Sequence, residues 1–260
     1  MRIPQTPPKV EFSPCGDANI LRIAQRLSEC KGYIHWDELR RLKLPDGVGA
    51  EDVWRALKLF RMPYVYIPFF EGGKPFLYVN TPSIQQHLHV LDRSTSTGLV
   101  KLPRDVLTEE RRASYVIRSL VEESITSSQL EGAATTREVA REMIRQSRPP
   151  RDKSERMIYN NFMTMEFLRK SPPSTLDRES VFDIHRRVCK ETLDKPEASG
   201  RFRKASENVR VETEDGIILH IPPSASELEA RMDNMCRFAN EDSGPFIHPI
   251  IKAIILHFWL

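Results

Sequence analysis

The sequence has no apolar run long enough to cross a bilayer. Its longest, HPIIKAIILHFWL, is interrupted by Lys252 and His257 and falls short of the ~20 apolar residues a membrane helix needs. The opening MRIPQTPPKVEF lacks the apolar core of a secretory signal. A cytoplasmic protein with no membrane partner is the expectation. Close cysteine pairs are also missing. Cys15, Cys30, Cys189 and Cys236 are scattered, without the short spacings of zinc sites or redox dithiols, so four reduced thiols are expected. There is no basic block. The 39 basic residues are nearly balanced by 36 acidic ones, for a net charge of +3, which argues against nucleic acid as a partner. A metal site is not expected at His87 and His89, because residues two apart do not share a helix face.

What is present is mostly helical periodicity. A proline-rich leader precedes an apolar stripe of Ile20, Leu21, Ala24 and Leu27. WDELRRL and AEDVWRALKLFR predict two further helices, with PDGVG as the turn between them. VYIPFF and PFLYVN flank EGGK as a short hairpin, and a helix follows Pro82. This order matches a winged-helix module, the DNA-reading alternative. The would-be recognition helix carries Trp54, Leu57, Leu59 and Phe60, however, a content suited to a core. STSTGLVKLP, residues 94–103, is the candidate linker. The expected domains are 1–100, a small α+β region, and 101–260, a helical bundle.

Spacing near 3.6 residues marks helices at 104–131, 136–147, 153–170, 176–193, 225–240 and 246–260. One insert, NVRVETEDGIILHIPP, reads as a hairpin. A three-residue loop of Glu214, Asp215 and Gly216 pairs Thr213 with Ile217, Val211 with Leu219 and Val209 with Ile221. That register gathers the apolar residues on one face and puts Gly216 in the left-handed position. Two strands are marginal alone, so the hairpin is expected to lie on the helices with open edges that an extended segment can join. Ser224 with Glu227 reads as a capping box, and Leu228, Met232, Met235, Cys236 and Ala239 as the buried stripe of the next helix.

The helix RRASYVIRSLVEESITSSQLEG changes character along its length. Its core side begins with Ile117, Leu120 and Val121, then turns small at Ser124, Ser127 and Ser128 before Glu131. Ser127 and Glu131 are four apart and project from one face. Gly132 stops the helix, and Thr135 with Glu138 is expected to cap the next one. An acid in the last turn is opposed by the helix dipole, so Glu131 should seek a cation from elsewhere.

Ser127-x-x-x-Glu131-Gly132 resembles the inhibitory motif of the Fic family (filamentation induced by cAMP). EESITSSQLEGAATT, PPRDKSERMIYNNF, GRFRKASENVRV, ILHIPPS and FIHPIIKAIILHFWL are similar, in that order, to stretches of bacterial Fic proteins. The resemblance implies a Fic-type helical bundle with a β-hairpin flap. It also implies a protein AMP-transferase that uses ATP and Mg2+ to modify a target protein's Ser, Thr or Tyr hydroxyl. Ser127, Glu131 and Gly132 would form the ATP-blocking motif. Val209, Arg210, Val211, Ile218, Leu219 and His220 would be the target-binding flap, with Arg203 as its support.

The family's signature loop is His-Pro-Phe, two residues ending in an acid, Gly-Asn-Gly-Arg, then a second Arg that Glu131 would pair with. Here His248-Pro249 runs into IIKAII and no Gly-Asn-Gly-Arg occurs, so no catalytic residue is assigned. Ile250, Ile251, Ile254, Ile255, Phe258 and Trp259 cover most of a helix surface, which predicts a fully packed helix. The expectation is a chain truncated before the catalytic loop, inactive alone, and able to form homo-oligomers through uncovered faces. Its alternative is a binding module that inhibits another Fic protein. His185 is read as a packing residue, and Arg201, Arg203 and Lys204 as loop braces.

Overall fold

The computed structural model describes residues 5–9, 17–31, 33–62, 64–96, 109–213, 215–241 and 244–260. Most of the candidate linker, the start of the helix expected from 104, Cys15 and the hairpin residue Glu214 lie outside these residues. The chain divides into two compact units, Met1–Lys101 and Leu102–Leu260.

In the first unit, α1 (Ala18–Lys31) packs on α3 (Ala50–Phe60), with the short α2 (Trp36–Leu39) beside it. Ala24, Ile34, Trp36, Leu39, Val53, Trp54, Ala56 and Leu57 form its core. Trp54 and Leu57 are therefore core residues as expected, whereas Phe60 is exposed. Strands β1 (Val65–Glu71) and β2 (Lys74–Tyr78) pair antiparallel, with Glu71 opposite Lys74. Gly72 and Gly73 form the turn at φ +55° and +74°, the left-handed pair that two-residue hairpin turns require. Helix α4 (Pro82–Ser96) follows.

The second unit is built on α7 (Lys153–Lys170), which packs against α5 (Glu109–Leu130), α6 (Arg137–Arg145) and α8 (Arg178–Val188). Ile125, Ala133, Ala140, Met143 and Ile158 form its core. The buried stripe of α5 is Ser124, Ile125 and Ser128, while Ile117 is exposed, against expectation. The stripe starts only where α5 meets α7; nothing among the described residues buries the helix from Arg111 to Ser119. Helix α6 is capped by Thr136, whose hydroxyl accepts from the Val139 amide, one residue later than expected.

Between α8 and α9 (Leu228–Asn240) lies the second hairpin, β3 (Val211–Glu212) and β4 (Ile218–His220). The Ser224–Glu227 capping box does not form. Ala225–Glu227 is a 3-10 turn: the Glu227 amide donates to the Ser224 carbonyl at 3.0 Å, and the Ser224 hydroxyl meets the Glu227 carboxylate, not a backbone amide. The capping box of this unit is instead at α8, where Asp177 and Ser180 exchange bonds. Met235 and Phe238 are the buried residues of α9. Helix α10 (Pro249–Trp259) starts with His248 as its cap and packs on α9. It is not fully packed: Ile254 and Phe258 are exposed and no residue of the helix is buried. Its apolar residues run around the whole circumference, and α9 covers one side of it. The fold is mostly α, with two separate two-stranded sheets among the described residues.

Candidate functional site

Two elements of the second unit carry the predicted site residues: the corner after α5 and the hairpin after α8. At the corner the last turn of α5 closes in a Schellman motif. The Gly132 amide donates to the Gln129 carbonyl at 3.1 Å, and the Ala133 amide to the Ser128 carbonyl at 2.9 Å. Gly132 stands at φ +97° with open space around it, the left-handed residue this helix end requires. The Glu131 amide donates back to Ser127, so the backbone of the motif is fixed from Ser127 to Ala133.

The corner is then tied to its surroundings. The Gln129 side-chain amide donates to the Thr135 carbonyl at 2.8 Å, and the Ala134 amide donates to Ser154 Oγ of α7 at 3.1 Å. Ala133 is buried in the core. The small residues Ser124 and Ser128 let α7 approach closely, and the Asn161 amide reaches Ser128 Oγ and the Ser124 carbonyl at 3.4 and 3.5 Å. Ser127 is half-buried, while Glu131 is exposed. No ion pair engages the Glu131 carboxylate among the described residues. An exposed carboxylate thus projects from a hydrogen-bonded backbone, at the helix end where the carbonyl dipoles disfavour negative charge.

Behind that corner the α6–α7 connection is locked by Glu155. Its carboxylate, 3% exposed, takes two bonds of 2.8 Å from Arg148 and one of 2.7 Å from the Arg151 amide. The Arg148 bonds are the main cause that lowers its pKa to about 2, against the desolvation that raises it.

The hairpin departs from the expected register part-way along. The Thr213 amide donates to the Ile217 carbonyl, Glu212 faces Ile218, and Gly216 is left-handed at φ +77°, all as the three-residue loop requires. The pairing then shifts, and Val211 faces His220 instead of Leu219. Leu219 is the extra residue of a β-bulge, which turns the strand locally. The hairpin's apolar side chains are not covered: Val209, Val211, Ile217, Ile218, Leu219 and Ile221 are all exposed. Arg210 pairs with Glu212 on the other face at 2.7 Å. The two strands pair only with each other among the described residues, leaving both edges open.

The brace at the base of the hairpin is Arg201. Its guanidinium meets both Glu207 oxygens at 2.7 and 3.0 Å and the carbonyls of Glu197 and Phe202. These bonds hold the Glu207 carboxyl at about 2. Arg203, the predicted support, is half-buried and makes no hydrogen bond among the described residues. His185 tethers the same loop, accepting the Gly200 amide on Nδ1 at 2.8 Å. Burial, then the charge of Arg186, lowers its pKa, keeping the ring neutral and able to accept. Gly200, at φ +67°, leaves no space for a side chain, since a Cβ would meet Arg186 at 2.4 Å. Arg201 was read from the sequence as a loop brace; its partner Glu207, in an irregular stretch with no periodic signal, was not singled out. No hydrogen bond or ion pair joins the corner to the hairpin among the described residues, and none of their groups forms a metal-holding cluster.

Residues 175–260, which span α8, the hairpin, α9 and α10, match the model of the Fic/DOC family. This segment belongs to the Fic/DOC family. The corner with Ser127, Glu131 and Gly132 precedes the Fic segment. The fold is similar to the crystal structure of a Fic family protein from Desulfovibrio desulfuricans G20, with a TM-score of 0.52 and 19% identity. That similarity covers 70% of this chain and 51% of the Desulfovibrio chain, so the present chain spans about half the length of that Fic protein. No curated protein matches the chain.

Proposed function

We propose that the chain serves a protein AMP-transferase of the Fic kind, with Glu131 as its autoinhibitory acid and the second hairpin as the flap that receives the target. The observation that carries this reading is the corner itself. An exposed, unpaired carboxylate stands on a backbone locked by a Schellman motif, the Ser154 bond and the core. Such a group is poised to bind a guanidinium arriving from outside the described residues, and a charge-assisted, two-pronged pair with it would be strong. Occupying an arginine that should meet the γ-phosphate would block productive ATP placement. Ser127 keeps the face beside Glu131 small, and Gly132 permits the turn.

The flap would act through its main chain. An extended target segment bearing a Ser, Thr or Tyr hydroxyl can add to an open edge of β3 or β4, while Val209, Val211 and Leu219 offer apolar contacts beside Arg210 and His220. ATP and Mg2+ belong to the proposal for the complete site. The described residues offer neither a metal-holding cluster nor a glycine-rich phosphate cradle, so no step is assigned to them here.

The 260 residues contain no Gly-Asn-Gly-Arg, so AMP transfer requires that loop from an extended reading frame or from another chain. Incubation of residues 1–260 with labelled ATP, magnesium and lysate is expected to give no transfer. The same chain continued through a Fic signature loop is expected to transfer AMP, and Glu131→Gly to raise the rate on the order of tenfold, the size of a typical coupling between sites. An unchanged rate would remove the inhibitory role from Glu131. The alternative, inhibition of another Fic protein in trans, is favoured by the exposure of the same carboxylate. It predicts co-purification with a loop-bearing Fic protein that Glu131→Lys abolishes.

A further inference from the structure

We propose that the first unit carries an oxyanion-binding site at the C-terminal end of α3, formed by Arg61, Lys58 and Trp54 and covered by Tyr33. Arg61 follows the last residue of α3 and is 7% exposed. One arm of its guanidinium donates to the Ile34 carbonyl at 2.7 Å; Nη1 has no partner among the described residues. The indole N–H of Trp54, a residue 1% exposed, also has none among them. The guanidinium lies over the Trp54 ring, its carbon 5.1 Å from the ring centre. Lys58 Nζ stands 5.0 Å from the same ring.

The carbonyl end of α3 accounts for cations gathering here, but leaves the orphaned N–H groups unexplained. Buried donors are almost always paired, and a buried guanidinium is normally met by an acid. No carboxylate pairs with Arg61 or Lys58 among the described residues. Burial lowers the pKa of both, and the charge of Arg61 lowers that of Lys58 further, so the cluster is short of negative charge.

The chemistry of the ligand follows from the donor set. Guanidinium, ammonium and indole N–H groups donate and cannot accept, so they select a compact, negatively charged acceptor, a carboxylate or a phosphate. Tyr33 stands over the guanidinium on the solvent side. The Tyr33 ring lies 4.0 Å over the guanidinium and is itself 59% exposed, so a rotamer change opens the site without unfolding any element.

Inorganic phosphate and acetate, each titrated into the 260-residue chain at ionic strength matched by chloride, distinguish the two sources. The readout is the set of indole N–H resonances, with that of Trp54 assigned by its loss in Trp54→Phe. A saturable movement of the Trp54 signal, with Trp259 unmoved, is expected from the anion the site takes. Lys58→Gln, whose lost group makes no hydrogen bond among the described residues, is expected to weaken binding about tenfold, the value of one charged hydrogen bond, without changing the melting curve. Arg61→Met is expected to abolish the response. Should that variant not fold, Lys58→Gln and Tyr33→Ala still decide. No saturable movement with either anion, or an affinity unaltered by Lys58→Gln, overturns the proposal. The outcome is independent of the AMP-transferase reading.

Discussion

Glu155 and Glu131 stand on either side of α6, and their surroundings treat them in opposite ways. Glu155 is enclosed, takes three short bonds from Arg148 and Arg151, and ionises at about 2; Glu131 is exposed with no such partner. The first carboxylate stabilises the platform on which the second is presented. Glu155→Gln is expected to cost about 2 kcal/mol, from buried bonds to a charged partner. The sign of its pH dependence follows from the lowered pKa. The contribution is complete above the ordinary carboxylate value of 4.5 and is lost as pH falls toward about 2. Melting curves between those limits should therefore drop more steeply for the native chain than for Glu155→Gln. The serine-x-x-x-Glu-Gly pattern made Glu131 legible in the sequence. Glu155 was not singled out, because a glutamate in the first turn of a helix is ordinary and Arg148, seven residues earlier, has no periodic relation to it.

Helix α7 is the element that organises the second unit, and it does so with polar groups as well as apolar ones. Asn160, buried in its middle, donates to the carbonyls of Val188 at 3.1 Å and Lys190 at 2.7 Å, closing the C-terminal end of α8 where the helix leaves carbonyls unpaired. Asn160→Ala is expected to cost about 1–3 kcal/mol, the penalty for buried acceptors left unsatisfied. Faster amide exchange at the end of α8 should accompany the loss. The hairpin shows the reverse case. Its sequence pattern predicted the loop and the left-handed Gly216 correctly, yet placed Leu219 opposite Val211. Alternation favours that pairing only if one face is buried; here both faces are exposed, so nothing opposed the bulge.

On the scale of the whole molecule, two cores stand apart in composition. The first is dominated by Trp36, Trp54 and aliphatic residues, the second by Ile125, Met143, Ile158 and alanines that let helices approach. Ile158, fully buried beneath α5 and α6, holds the Glu131 corner on α7. Ile158→Ala is expected to destabilise this unit by about 3 kcal/mol, within the usual range for a buried aliphatic truncated to alanine. Exchange protection should fall together in α5, α6 and α7. Loss confined to α7 alone would show that the three helices are not one cooperative piece.

The local chemistry of the chain determined where helices run, where glycines turn it, and which acid sits at the end of α5, because these depend on neighbours a few residues away. The same patterns led to the Fic reading that the 175–260 segment supports. Tertiary structure decided the rest: that α5 buries serines instead of Ile117, that α10 is covered on one side, that Arg201 finds its partner in Glu207, and that Arg61 lies buried with an N–H unpaired among the described residues. Burial and pairing are set by what another part of the chain brings alongside, and no periodicity within a segment records its neighbour.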